Sequence, residues 1–211
     1  SLLTSRDANT SFQAAFAFSA VTLAIGKERW GELASAFEVI CASKSIRVRR
    51  TLSYALSAFA HLLDPDDLVN VAATFLRDFP EIAIGVISTL HQIVYLAKDK
   101  ESLIFCLEDP DTKYESWRIR LKVSEQLRYC SEFFNKDVLF QSARILIADR
   151  VAAVRKDAII SFAHLVTEDK LPIIVQLASD DRYWERIAAA EVINNVDIKF
   201  GKKLIRPLLN L

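Results

Sequence analysis

Residues 115–166 read ESWRIRLKVSEQLRYCSEFFNKDVLFQSARILIADRVAAVRKDAIISFAHLV. From Trp117 to Phe134 the apolar residues Ile119, Val123, Leu127, Cys130 and Phe134 follow at steps of 4, 4, 3 and 4. That is one stripe of a 3.6-residue period, so the spacing predicts an amphipathic helix. Arg118, Lys122, Glu125 and Glu132 occupy the opposite face. A second helix is predicted over about Asp137–Ala148, then a tight polar turn at Asp149-Arg150. A third helix carries Val151, Val154, Ala158, Phe162 and Leu165 at steps of 3, 4, 4 and 3. Neither helix of such a pair can bury its stripe alone, so neighbouring pairs must stack.

Outward from this stretch the same grammar recurs. Residues 1–10 read as a frayed entry, and Ser11–Ile25 as a helix buried on most sides and stopped by Gly26. Glu28–Ala42 and Val48–Leu63 form a pair across the basic turn Lys44–Arg50. Asp64-Pro65-Asp66-Asp67 is a helix start, with a capping Asp, proline at the first helical position and acids facing the dipole. Asp66–Arg77 pairs with Glu81–Ala97 across Asp78-Phe79-Pro80, and a short helix ends at Glu108. Asp109–Ser116 is the longest expected loop. Glu168–Ala178 pairs with Tyr183–Val196, and Ile198–Leu211 opens a further helix, with Lys199, Lys202 and Lys203 on its exposed side and Ile205, Leu208 and Leu211 as an apolar end.

The turns entering each second helix fall near Arg49, Ala83, Arg118, Arg155 and Arg186, spaced 34, 35, 37 and 31 residues apart. Ser57-Ala58-Phe59-Ala60-His61-Leu62 is echoed by Ile160-Ser161-Phe162-Ala163-His164-Leu165, 103 residues on. The expectation is an all-α solenoid of about six repeats, 1–211 forming a single segment of a longer repeat protein; the absence of methionine, even at position 1, agrees with a start inside a longer chain.

Composition narrows the function. The chain has 27 basic and 27 acidic side chains among 211 residues. That balance gives no electrostatic case for nucleic acid or an anionic membrane. Phe12–Ile25, the most apolar segment, is about 14 residues long and includes Gln13, Ser19 and Thr22, short of the roughly 20 of a membrane span. Cys41, Cys106 and Cys130 sit singly in apolar stripes, as buried thiols of a reducing compartment. His61, His91 and His164 lie late in second helices, where packing roles are expected. No nucleophile–base pair, metal-ligand spacing or Gly-rich phosphate loop occurs, so neither enzyme activity, metal nor cofactor is expected.

Val48-Arg49, Asp149 with Val154-Arg155, and Asp180/Asp181 with Arg186 resemble HEAT repeats, which implies a right-handed superhelix of antiparallel helix pairs. Trp117-Arg118-Ile119-Arg120, Glu125-Gln126-Leu127, Asp149 and Val154-Arg155 are similar to the scaffold subunits of protein phosphatase 2A. Arg29-Trp30, Val48-Arg49-Arg50-Thr51-Leu52, Leu76-Arg77-Asp78 with Ile84-Gly85-Val86, and Trp117-Arg118 come in the order seen in regulatory subunits of phosphatase 4. The resemblance spans residues 29–166, about two thirds of the chain. It departs at Ile82-Ala83, where the usual arginine is missing.

This resemblance implies a non-catalytic scaffold or regulatory subunit, cytoplasmic or nuclear, whose intra-repeat turns grip a serine/threonine phosphatase catalytic subunit of the phosphatase 4 or 2A type, alongside further regulatory proteins. The implied contact residues are Trp117, Arg118, Arg120, Asp149, Arg150 and Arg155, with Trp184 and Arg186 extrapolated along the repeat. Two readings stand for the arginines near helix starts, where the dipole disfavours positive charge: pairing with an aspartate of the same or a neighbouring turn, or contact with a partner. Trp117 and Trp184 are each either a lid on a neighbouring repeat or an exposed anchor. The basic cluster Lys44, Arg47, Arg49 and Arg50 reads as a solvated turn. The alternative function is a HEAT or armadillo-type transport or protein-interaction adaptor that binds peptides or another protein.

Overall fold

The computed structural model describes residues 7–195, and every regular element among them is helical. The chain divides into two compact units at Cys106/Leu107. The expected helix from Ile198 and the apolar end at Ile205, Leu208 and Leu211 lie outside the described residues.

In the first unit, α1 (Ala8–Ile25) packs on α3 (Ile46–Phe59), and α3 packs on α5 (Pro80–Ser88). These second-position helices form one layer, with α2 (Gly31–Cys41) and α4 (Pro65–Leu76) supplying the other. α1 starts at residue 8 because Asp7 accepts backbone N–H bonds from Asn9 and Thr10 at 3.3 and 2.9 Å, capping its N-terminus. It ends as predicted at Gly26, whose φ of 77° suits a residue without Cβ. α1 is less buried than its composition suggests: Ala15 and Phe18 face the core, while Phe16, Val21 and Leu23 are exposed. Phe18, Trp30, Phe37 and Phe59 form a four-ring cluster with centroids 5.4–6.4 Å apart. Asp64 caps α4 through Asp66 N–H at 2.9 Å, with Pro65 at the first helical position. α3 and α5 come close because Gly85 sits opposite the Ser53 and Tyr54 backbone; a Cβ there would lie 2.9 Å from both Ser53 C and Tyr54 N.

The predicted helix Glu81–Ala97 is two. Thr89, at φ −125° and ψ 19°, separates α5 from α6 (Leu90–Leu96). Residues 82–87 are apolar nearly all round, so no stripe holds the chain to a single axis.

In the second unit, the expected loop 109–116 contains one helical turn, α7 (Pro110–Lys113), entered through Asp109 in the left-handed region at φ 43°. α8 (Trp117–Tyr129) stops short of the predicted Phe134, because Cys130 leaves the helix and residues 130–133 form turns. α9 (Lys136–Leu146) and α10 (Ala152–Leu165) follow, then α11 (Leu171–Ala178) and α12 (Tyr183–Asn195). The Phe140 and Phe162 rings meet at 4.9 Å. The Ser161 hydroxyl of α10 donates to the Ser124 carbonyl of α8 at 2.5 Å, a contact open only to small residues.

Cys106 and Cys130 are buried and Cys41 half-buried. Burial pushes the Cys41 and Cys130 thiols up to about 12, so they are packing groups rather than nucleophiles. The histidines are less buried than expected, His61 and His164 being exposed and His91 half-buried, while His164 Nε2 lies 3.4 Å from the Ser131 hydroxyl. Among the described residues no helix is long and apolar enough to cross a membrane.

Candidate functional site

The turns are organised around arginines that reach back to the chain entering their own helix. Nη1 of Arg120 donates to the Tyr114 carbonyl, that of Arg155 to Asp149, and that of Arg186 to Asp180, at 2.8, 2.7 and 2.7 Å. Arg49 makes the same bond to the Ser43 carbonyl. In all four cases the acceptor lies six residues upstream. This shared geometry places the repeat register on Arg49, Arg120, Arg155 and Arg186, so Arg120 and not Arg118 is the repeat-equivalent residue. The bonds also answer the dipole objection, because the guanidinium turns away from the helix amides towards carbonyl oxygens.

Two of these arginines hold a second repeat as well. Arg49 Nε and Nη2 donate to both oxygens of Asp78, at 2.7 and 2.9 Å. Arg120 Nε and Nη2 donate to both oxygens of Asp149, at 2.6 and 3.2 Å. Each aspartate lies 29 residues after its arginine, in the next intra-repeat turn. Such parallel bidentate bonds suit the planar guanidinium fork. Pairing with Asp78 raises the affinity of Arg49 for its proton and holds the Asp78 carboxyl below the ordinary carboxylate value; the bonds to Asp149 raise Arg120 likewise.

The Arg120–Asp149 pair is buried, its side chains 1% and 0% exposed. Arg120 also donates to the Glu115 carbonyl at 2.8 Å, which satisfies four of its five N–H groups. Asp149 Oδ1 accepts the Val151 N–H at 2.7 Å and fixes the entry to α10. Arg120 and Asp149 are therefore spent on one another and on the backbone, and they present nothing to a partner. Of Arg49, Arg118, Arg155 and Arg186, the arginines near helix starts, Arg49 pairs with an aspartate, and Arg120 pairs in place of Arg118, which lies on the Trp117 ring. Arg155 and Arg186 instead bond the carbonyls of Asp149, Asp180 and Asp181. The Asp180 carboxylate is taken by Arg182 at 3.0 and 3.1 Å, which holds it down at about 2.

The remaining site residues reach the surface. Trp117, the first residue of α8, is 37% exposed, and the Arg118 guanidinium lies 4.8 Å from the centroid of its ring. Arg150 is exposed and donates to the Glu115 carbonyl at 3.3 Å, beside a cleft of about 510 Å³ lined by Asp111, Ile145 and Ala148. Arg155 is half-buried: it donates to the Tyr183 hydroxyl at 3.4 Å and stands 5.3 Å from the centroid of the Trp184 ring. Trp184 is half-buried, so it acts as a lid on α10 more than as a free anchor. Arg186 is exposed. Contacts thus run from Glu115 and Arg120 through Asp149 to Arg155 and α12, while Trp117 and Arg118 stand as their own stacked pair.

Asp78 and Tyr183 escaped the sequence reading. The recurring interval of 29 residues from Arg49 to Asp78 and from Arg120 to Asp149 was the available signal for Asp78. Nothing in the sequence marked Tyr183 as the group that Arg155 would meet.

Stacked helix pairs clasped at their turns define a helical-repeat protein of the α-solenoid class, a class of binding surfaces. The chain is 30% identical over 161 residues to serine/threonine-protein phosphatase 4 regulatory subunit 1 of Homo sapiens, with the same values for the Mus musculus and Rattus norvegicus proteins of that name. The match takes in 71% of this chain but 17% of each relative, so the chain spans about a sixth of the length of the curated relatives it matches. Over that stretch it is related to this regulatory subunit. No family model matches the chain.

Proposed function

We propose that the chain is a non-catalytic scaffold or regulatory segment that holds a serine/threonine phosphatase catalytic subunit, of the phosphatase 4 or 2A type, against its intra-repeat turns. The chemistry and any metal ions belong to that partner, and the chain contributes position. The observation that carries this reading is the relation to a phosphatase 4 regulatory subunit. The stacked pair of Trp117 and Arg118 supports it, being an exposed aromatic–cation pair at the start of α8 made of two residue types enriched at interface hot spots. Arg150, Arg155, Trp184 and Arg186, in the same unit, complete the proposed contact set. Arg120 and Asp149 belong to this site as supports that fix the turns.

The test is binding of the chain to purified phosphatase 4 and phosphatase 2A catalytic subunits, beside a Trp117→Ala, Arg118→Glu double variant whose fold is checked by circular dichroism. Loss of a hot-spot pair worth about 2–4 kcal/mol weakens binding roughly 30-fold or more. Failure of the wild-type chain to bind either subunit, or equal binding by the folded variant, overturns the proposal.

A further inference from the structure

Within the first unit an open groove of about 810 Å³ runs between α1 and α3. Phe12, Phe16 and Ala20 line it from α1, with Arg50, Tyr54 and Ala55 from α3. Phe16 is 66% and Tyr54 45% exposed, so two large rings of adjacent helices stand open to solvent in one concavity. Its volume falls within the roughly 300–1,000 Å³ of ligand pockets.

The groove is also cationic. The Arg47 guanidinium lies 3.8 Å from the Phe12 ring centroid, and that of Arg50 lies 5.7 Å from the Tyr54 ring centroid. α1 and α3 together contain three arginines and no acidic residue. Asp78 neutralises Arg49 alone. Among the described residues, no carboxylate pairs with Arg47 or Arg50. Two unmatched positive charges therefore sit on aromatic walls, their donor edges free for planar anions. The complementary ligand carries carboxylates next to an apolar side chain.

We propose that this groove docks a peptide segment of a partner protein, with Asp or Glu side chains on Arg47 and Arg50 and an aromatic or aliphatic side chain between Phe16 and Tyr54. The occupant is a peptide rather than a nucleic-acid strand. Arg47 already covers the Phe12 face on which a base would stack, and the apolar floor at Ala20 and Ala55 offers nothing to a sugar–phosphate backbone. The groove belongs to the first unit and the turn carrying Trp117 and Arg118 to the second, so the chain would hold two partners, or two parts of one, by different chemistry.

A random peptide library displayed on phage is selected against the whole chain and counter-selected against an Arg47→Glu, Arg50→Glu variant. Both arginines are exposed, and circular dichroism verifies the fold; Arg50→Gln and Tyr54→Ala serve as milder variants. The expected result is enrichment of peptides joining acidic residues to an aromatic or aliphatic one. Synthetic copies should lose affinity roughly tenfold or more on the charge-reversed variant, on Tyr54→Ala, or when their acids become amides. Trp117→Ala should bind them unchanged, which separates this site from the phosphatase-binding reading. No enrichment, enrichment of neutral or basic peptides, equal binding by the folded charge-reversed variant, or displacement by a single-stranded oligonucleotide overturns the proposal.

Discussion

Replacing Arg120 with methionine keeps most of the side-chain length and removes every contact that its guanidinium makes to Asp149 and to the chain entering α8. Asp149, 0% exposed at its side chain, would be left with only the Val151 amide as a partner. The Tyr114 carbonyl would lose its Arg120 donor, and the Glu115 carbonyl would retain only Arg150. Breaking a buried ion pair from one side costs about 3–5 kcal/mol, because the abandoned charge stays desolvated. At about 4–8 °C per kcal/mol for a unit of this size, Tm falls by roughly 12–40 °C. The assay is urea and thermal unfolding followed by circular dichroism, with hydrogen exchange of amides in 117–165 to locate the loss in the second unit. Arg49→Met is the internal comparison. Its pair is 13% and 16% exposed, so water screens what is left, and the cost should be about 1–2 kcal/mol. Adding Asp149→Leu to Arg120→Met should restore at least half of the loss, since an apolar pair leaves no buried charge. A cost below about 1 kcal/mol for Arg120→Met, or equal costs at Arg120 and Arg49, would refute the assignment of Arg120–Asp149 as the buried clasp of the second unit.

Two further outcomes follow from the first unit. Gly85→Ala sets a Cβ 2.9 Å from the Ser53 and Tyr54 backbone, which cannot rotate away as a side chain can. The α3–α5 contact must open, at about 1–3 kcal/mol, and a stability equal to wild type in denaturant melts would show that the helices are not in such close approach. The Asp78 carboxyl is held below its ordinary value of about 3.9 by Arg49. A depressed carboxylate contributes stability that is full above the unfolded value and is lost as pH falls through the folded one. The stability gap between wild type and Arg49→Met should therefore be constant from neutral pH down to about pH 5 and close in stronger acid; a gap that persists unchanged there would mean the pair is not electrostatic.

The helices were legible where one face alternates with the other. Ile119, Val123 and Leu127 announce α8, and Asp64-Pro65 announces α4, because burial and capping each leave a local pattern. The break at Thr89 left none, since an apolar run presents no face for periodicity to detect. The turn at Pro110 was hidden because four residues are too few to show a period. The repeat register, set on Arg118, falls two residues away on Arg120 for a similar reason. Trp117-Arg118-Ile119-Arg120 offers two arginines flanking Ile119, and composition cannot say which one turns inward. Ser124 and Leu127, both buried, share a helix face with Arg120, and the small serine was the clue that this side meets a neighbour. That a guanidinium at helix position four would reach a carbonyl six residues back is a matter of backbone path, invisible until the turn has a shape.

The bidentate clasps bear on how such a chain finds its correct neighbour. Stacked helix pairs are nearly self-similar, and a nascent repeat could dock on the wrong surface, or on another molecule's copy, with much of its apolar area satisfied. Arg120 makes such an exchange unprofitable. Any neighbour lacking an aspartate at the position of Asp149 would leave a buried guanidinium with only the exposed Asp111 carboxylate, 3.9 Å away, as counter-charge, a penalty of several kcal/mol. The pair thus works as a keyed joint, refusing mismatched halves more than it strengthens the matched one. Repeats of this chain should not be interchangeable modules: one transplanted behind α8 without its aspartate would carry the right shape and still be rejected.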